Sequence, residues 1–393
     1  MPDATPTPSG PAIPASRAAG LYVHIPFCRR KCPYCDFYSL ERLDSMSGFG
    51  DLLSTEISLR GDPRLAADTI YLGGGTPSLM PPDGVAGILE ALGDHFLLEA
   101  DVECTMEINP GTVSRASLSA YRQAGINRLT IGIQSFSDDS LAFLGRIHSA
   151  RDGIRAVQEA RDAGVENLGI DLIYGLPGQE ASDWLRDLET AVALSPEHLS
   201  CYLLTVEAGT PLGRDCREGR TTPLPDDDQA HLFTLTREVL TKAGYRHYEI
   251  SSFARSPGTV SRHNMKYWTF APYLGFGPSA HSYRDPIRSW NARDLDRYRQ
   301  CLEKGQSPED GRETLSREQR MIEAVFLGLR MIDGIDTDGF ARRFGGRLEL
   351  LLGPVLAGLE GEGMVVRSGN RIALTPAGLL VADGVARRLV DAL

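Results

Sequence analysis

The sequence has no run of about 18 uninterrupted apolar residues, so no membrane-spanning helix is expected. Its first 20 residues lack the apolar core of a secretory signal. Basic residues are in deficit: 41 Lys+Arg against 52 Asp+Glu leave a formal charge of -11, which works against nucleic-acid binding. Cysteine is scarce and odd in number, seven in 393 residues, and three of the seven fall within eight positions. That is poor usage for disulfides and good usage for a metal, and a reducing cytoplasm is the compartment it suits. With 42% hydrophobic and 24% charged residues the composition is globular, and the length predicts two to three domains at roughly 150 residues each.

Residues 1–19 are rich in Pro, Ala, Ser and Thr and read as a disordered lead, with too little apolar surface to offset chain entropy. One Arg and one Asp make them a weak match to an organelle transit peptide. From Leu21 onward short apolar runs recur, at 21–25, 69–73, 102–108, 129–133, 168–174 and 199–204. Amphipathic stretches at 83–96, 114–124, 152–163 and 182–194 lie between them, each opening on Ser or Asp as an N-cap would. Six βα units are expected, forming a parallel sheet with right-handed crossovers. The unusual residues follow strand ends, as in barrel enzymes, so an α/β partial barrel over 20–215 fits best. Residues 216–310 form a mixed extension whose topology the pattern leaves unresolved. Residues 311–393 read as helices followed by a Ser-Gly-Asn-Arg hairpin, the order of a winged-helix module. Ten Arg against eleven Asp+Glu in 313–393 deny that module a basic surface, which favours packing or partner docking over DNA.

The strongest signal is Cys28-Arg-Arg-Lys-Cys32-Pro-Tyr-Cys35, a C-x3-C-x2-C set just after the first predicted strand. Three thiolates are expected to converge there. A structural zinc site normally closes with four protein ligands, and no fourth Cys or His stands at finger-like spacing. An iron-sulfur cube on three cysteines leaves one iron open to a small molecule. Arg29, Arg30 and Lys31 are expected to favour thiolate and offset the cluster's charge. Zinc and free buried thiols remain the alternatives. Cys104, Cys201, Cys216 and Cys301 are scattered and read as small packing residues.

These residues carry a resemblance. C-x3-C-x2-C after a first strand is similar to the signature of radical S-adenosylmethionine (SAM) enzymes, and Tyr22-Val-His24-Ile-Pro-Phe-Cys28 resembles the opening of the oxygen-independent coproporphyrinogen III dehydrogenase family. The resemblance implies a 4Fe-4S cluster on Cys28, Cys32 and Cys35, with SAM on the open iron and one-electron cleavage of the sulfonium to a 5'-deoxyadenosyl radical. It also implies SAM contacts from Tyr22, Tyr34, Phe37, Gly74, Gly75, Thr76, Glu107, Gln134, Arg146 and Asp171. The glycines would let backbone approach the methionyl ammonium, Glu107 would accept from ammonium or ribose, Gln134 and Asp171 would meet the ribose, and Arg146 would pair with the carboxylate.

Two departures separate the chain from the decarboxylating enzymes. Position 37 is Phe where those enzymes carry a fourth cysteine, and only about 20 low-complexity residues stand where they have a long N-terminal arm. The segment His263-Asn-Met-Lys-Tyr267-Trp268 with Cys35-Asp-Phe-Tyr-Ser instead resembles HemW, the haem-chaperone branch. That resemblance implies haem binding and transfer to a respiratory apoprotein, with His263 as first and His281 as second candidate haem contact. The alternative is a hydrogen-bonded histidine beside packing aromatics. The Cys32-Pro33 pair is also similar to haem-regulatory Cys-Pro motifs, although Cys32 is better spent on the cluster. A cytoplasmic haem chaperone is therefore expected, the rival being the coproporphyrinogen III dehydrogenase itself. Homodimerisation on cluster loading is implied by the resemblance alone, and the electron donor is not readable.

Overall fold

Runs of β-branched and aliphatic residues too short for buried helices, flanked by amphipathic stretches, settle as strands with covering helices. The computed structural model describes residues 18–393. The lead as far as residue 17 lies outside them, whereas Ala18 and Ala19 already belong to the fold: Ala19 is fully buried and opens the first strand.

Strands β1 (Ala19–Ile25), β2 (Asp62–Gly74), β3 (Phe96–Ile108), β4 (Arg128–Gln134), β5 (Asn167–Tyr174) and β6 (His198–Leu203) pair in parallel in chain order. Between them run α1 (Phe49–Arg60), α2 (Pro82–His95), α3 (Arg115–Ala124), the short α4 (Asp138–Phe143), α5 (Ala150–Asp162) and α6 (Ala181–Ala193). The expected strand positions and their parallel order are borne out, but three of the four expected caps move. Ser114 does cap α3, accepting from Ser117 N–H. Asp152 instead sits in the first turn of α5, where its carboxylate accepts from the backbone N–H of the true cap, Ser149, at 2.9 Å. Pro81 precedes α2 and Glu180 precedes α6. The sequence reading also left out α1, whose apolar positions carry little amphipathic pattern although Phe49, Leu53 and Ile57 are buried.

The sheet then grows at both edges. After α7 (Pro211–Arg217) and α8 (Asp226–Lys242), β7 (Arg246–Glu249) and β8 (Ser252–Ala254) add antiparallel strands beside β6. Helix α9 (Arg262–Trp268) leads into β9 (Tyr273–Phe276), which runs parallel to β1 on its other side. The hairpin β10 (His281–Arg284) and β11 (Ile287–Asn291), then α10 (Leu295–Glu303) and β12 (Glu309–Thr314), extend that edge. Among the described residues this is one sheet of twelve strands whose ends do not meet, an open barrel wall with six strands on parallel crossovers.

The remaining chain builds a separate core around Val325, Leu356, Leu359 and Ile372. Helices α11 (Arg317–Gly328), α12 (Thr337–Phe344), α13 (Leu348–Leu351) and α14 (Gly353–Gly361) precede the hairpin β14 (Val365–Ser368) and β15 (Arg371–Leu374), with α15 (Pro376–Leu380) and α16 (Ala382–Val390) after it. The two-residue β13 (Ile335–Asp336) completes a three-stranded sheet with that hairpin. Gly369-Asn370 turns the hairpin, with Gly369 at φ +57°.

Candidate functional site

Side chains alternate along a strand, so every second residue of β1–β6 faces the concave side of the wall. At the carboxyl ends these residues and the following loops enclose a cleft of about 610 Å³ whose lining includes all three clustered cysteines. The cysteine loop is pinned at its root. Leu40 N–H donates to Pro26 C=O at 2.6 Å, Cys28 N–H to Leu40 C=O at 2.9 Å, and the His24 ring contacts the Tyr38 carbonyl at 2.8 Å. The glycine run after β2 is required by this packing: a Cβ on Gly75 would stand 2.7 Å from the Phe27 carbonyl oxygen, and one on Gly74, at φ +113°, 2.7 Å from the His24 ring. The close approach that demands these glycines is thus to the root of the cysteine loop, in addition to any ligand.

Arginines were expected to flank the thiols from positions 29 and 30, but both guanidinium groups are spent on backbone. Arg29 donates to Gly111 C=O at 3.2 Å and Arg30 to Gly145 C=O at 3.0 Å, clasping the cysteine loop to its neighbours. The guanidinium beside Cys32 is that of Arg146, whose Nη1 lies 3.6 Å from Cys32 Sγ while Nη2 donates to Gly132 C=O at 2.9 Å and to Asn109 Oδ1. Thr76 turns its hydroxyl to Cys28 Sγ at 3.7 Å and accepts from Asn109 Nδ2 at 2.8 Å. Burial pushes the thiols of Cys28 and Cys35 up, with the Thr76 hydroxyl pulling Cys28 back and the charge of Lys31 pulling on Cys35. Among the described residues no group of three His, Cys, Asp or Glu is placed to hold a single metal ion, an arrangement that an iron-sulfur cube does not need. The three thiols share a cleft wall, a placement that does not depend on meeting at one point.

The same cleft holds two half-buried carboxyl groups. Glu107, ending β3, accepts from the Tyr71 hydroxyl at 2.7 Å and from Gly74 N–H at 3.2 Å. Burial pushes it up to about 7, Tyr71 lowers it and the charge of Asp171 adds to the rise. Asp171, on β5, is pushed up to about 6 by burial, against the pull of Ser200, Arg128 and Arg146. Asp171 Oδ1 and Gln134 Oε1 are buried acceptors without a hydrogen-bond partner, and both residues line the cleft. Gln134 also holds φ at +73°, a strained value for a residue with a side chain. Orphaned acceptors in a cleft wall are what a donor-rich ligand would satisfy. Phe37 is 70% exposed at the mouth, and Tyr34 packs beside Leu144, Ile173 and Leu176.

Tyr22 departs from its expected place. It stands one layer deeper in the lumen, its hydroxyl 3.0 Å from His24 Nδ1 and its ring stacked 6.2 Å from Tyr71, and it is not part of the cleft lining. His263 is deeper still. It is 1% exposed, with Nδ1 2.9 Å from Thr69 Oγ1, Nε2 3.0 Å from the Tyr267 hydroxyl, and its ring stacked on Tyr71 at 5.1 Å. Both ring nitrogens are therefore committed, and burial lowers the imidazole to about 3. As placed, His263 has the partners of a hydrogen-bonded core histidine, the alternative to a haem contact. Its motif partners diverge: Tyr267 reaches toward β9, packing edge-on against Tyr273 at 4.8 Å, while Trp268 faces a separate core with Arg330 over its ring at 4.6 Å. His281 is exposed on β10, its ring 6.1 Å from Trp290.

The sequence reading missed Asn109, which joins Thr76 to Arg146 across the cleft, and Tyr71, which fixes Glu107. Asn109 had a local signal, an Asn-Pro pair just past a strand. Tyr71 had none, since an apolar strand hides which of its faces is inside.

With this geometry in hand, the relatives are informative. The model of the radical SAM superfamily matches residues 22–191, and that of the HemN C-terminal domain matches residues 315–381. The heme chaperone HemW of Mycobacterium tuberculosis is 35% identical over 381 residues, 94% of each chain. Its Bacillus subtilis counterpart is 33% identical over 371 residues, 93% of this chain and 97% of the relative, and the Escherichia coli protein is 42% identical over 267 residues, 66% and 69%. In structure, the coproporphyrinogen III oxidase HemN of Escherichia coli superposes with a TM-score of 0.80 at 23% identity, covering 96% of this chain and 91% of that one, a likeness of fold. The open parallel wall with the cysteine loop at its carboxyl edge is that of the radical SAM fold, and within it this chain belongs to the HemW family.

Proposed function

We propose that the protein is a haem chaperone that holds a 4Fe-4S cluster on Cys28, Cys32 and Cys35, with SAM beside it. The observation that carries the cofactor site is the pairing of three cleft-lining thiols with two orphaned buried acceptors, Gln134 Oε1 and Asp171 Oδ1, in one cleft. When bound, the cluster supplies one-electron chemistry to the sulfonium of SAM. The chain's own part is placement. Glu107 and Asp171 offer carboxyl oxygens to an ammonium and to ribose hydroxyls, and a bound cation would draw both toward the ionised form. The Gln134 amide completes the ribose contacts, and Arg146 can exchange its long contact to Cys32 for a carboxylate. Phe37, where the decarboxylating enzymes carry a fourth cysteine, supplies no thiol.

Haem binding and delivery rest on the HemW relatives, whose name states that role. The acceptor would be a respiratory apoprotein, the working compartment the cytoplasm, and the assembled state a homodimer. Among the described residues no helix is long and apolar enough to cross a membrane. The test is anaerobic reconstitution with iron and sulfide, followed by haem titration and incubation with coproporphyrinogen III. Cluster absorbance and saturable haem binding without decarboxylation are expected. Loss of two carboxylates per porphyrinogen would replace the chaperone reading with that of the dehydrogenase.

A further inference from the structure

The concave face of the sheet continues past β1 onto β9–β12, and a second cleft of about 860 Å³ lies against it. It shares no lining residue with the cysteine cleft and is closed on its other side by α9 and α11. The volume is within the range of small-molecule sites, roughly 300–1,000 Å³. Tyr273, Trp290 and Phe326 give its walls flat apolar surface.

Two polar groups in this cleft lack a partner of their own. The His281 imidazole is exposed, and among the described residues no group hydrogen bonds to it. Arg293 is exposed with no ion pair among the described residues, its guanidinium lying 5.8 Å from the centre of the Tyr38 ring. The neighbouring Arg288 is by contrast held by Glu313 and Glu323.

The root of His281 is rigid. A Cβ on Gly275 would stand 2.2 Å from the His281 carbonyl oxygen, and Gly277, at φ +96°, lies against the His24 backbone. Ser279 N–H donates to Ala292 C=O at 3.0 Å and Asn291 N–H to Ala280 C=O at 2.9 Å, tying the loop to β11. An imidazole on such a backbone is pre-positioned. Helix α9 joins the second cleft to the packed lumen: Tyr267 packs on Tyr273 in that cleft while its hydroxyl meets His263 in the lumen.

We propose that haem binds in this second cleft, with His281 as an axial ligand, the macrocycle against Tyr273 and Trp290, and a propionate on Arg293. His263 is then a positioning residue that fixes Tyr267. This rests on the reading that the protein binds haem. The experiment is a titration of the full-length, cluster-loaded protein with ferric haem, followed by absorbance. His281→Ala is expected to shift the Soret band and weaken binding about ten-fold, with added imidazole restoring the band position. Arg293→Glu is expected to weaken binding about three-fold without moving the band. His263→Ala should weaken binding through the loosened Tyr267 without moving the band, and a moved band would make His263 the ligand and overturn the proposal. If wild-type protein saturates and both His281→Ala and Arg293→Glu match it in band position and affinity, the site is elsewhere and the proposal falls. If wild-type protein shows no saturable binding, the haem reading itself fails, which is a different result.

Discussion

The two clefts lie along one sheet and are built in opposite ways. The cysteine cleft gathers residues from the carboxyl ends of β1–β6, each delivered by a βα unit, and apart from the open acceptors of Gln134 and Asp171 its polar groups are mostly paired with one another. The second cleft is assembled from an antiparallel edge and a helix of the C-terminal module, and its imidazole and one of its guanidinium groups are left open. Strand-end loops fix a reactive group tightly, whereas an edge cleft between two cores can admit and release a large planar ligand. That contrast suits a protein that retains one cofactor and passes another on.

The sharpest way to break the comparison is to strip one cleft and read the other. Cys28→Ser, Cys32→Ser and Cys35→Ser should each abolish the iron-sulfur absorbance of reconstituted protein, whereas Cys104→Ser, which is buried in the main core, should retain it. Equal loss from all four would mean that the absorbance does not report this site. His281→Ala should leave the iron-sulfur spectrum as in wild type.

A smaller effect comes from the carboxyl pair. The folded value of Glu107, about 7, is above the ordinary carboxyl value, so the folded state retains a proton that the unfolded chain has lost. Stability of the cofactor-free protein should therefore fall as pH rises from the ordinary carboxyl range through 7, by about 3 kcal/mol if Glu107 acted alone. Asp171, raised in the same direction, titrates with it as a pair. Glu107→Gln should flatten the profile in urea melts at several pH values, and an unchanged slope would remove Glu107 as its source.

His263→Ala tests the packed lumen beside the second cleft. It empties a buried site and strands the hydroxyls of Thr69 and Tyr267, at a cost of about 2 kcal/mol in denaturant unfolding. The cysteine cluster should still load. A variant as stable as wild type would show that the histidine is not part of the packed lumen.

The legibility of the molecule follows the same division. The parallel strands could be read because each is a short apolar run between amphipathic helices, and strand ends mark where a site forms. Glu107, Arg146 and Asp171 came from the family resemblance, and of the three only Glu107 also stands at the end of a strand. The caps at 83, 152 and 182 were misplaced because Asp and Ser serve equally well in the first turn of a helix, as Asp83, Asp152 and Ser182 do. Tyr22 was put in the cleft because the motif beside it is there, and only register shows that it lies a layer below. Residues 216–310 resisted reading because β7 to β11 are three to five residues long and take their partners from distant parts of the chain. The HNxxYW segment is a seven-residue helix whose His, Tyr and Trp meet three different surroundings, which no linear pattern displays.

The most direct test of the account is a haem titration of the anaerobically reconstituted wild-type protein with SAM turnover followed in the same sample. A saturable Soret band approaching one haem per chain, without coproporphyrinogen consumption, is the predicted result. Absence of a saturable band, together with SAM cleavage stimulated by coproporphyrinogen, would contradict it and make the chain a porphyrinogen-oxidising enzyme.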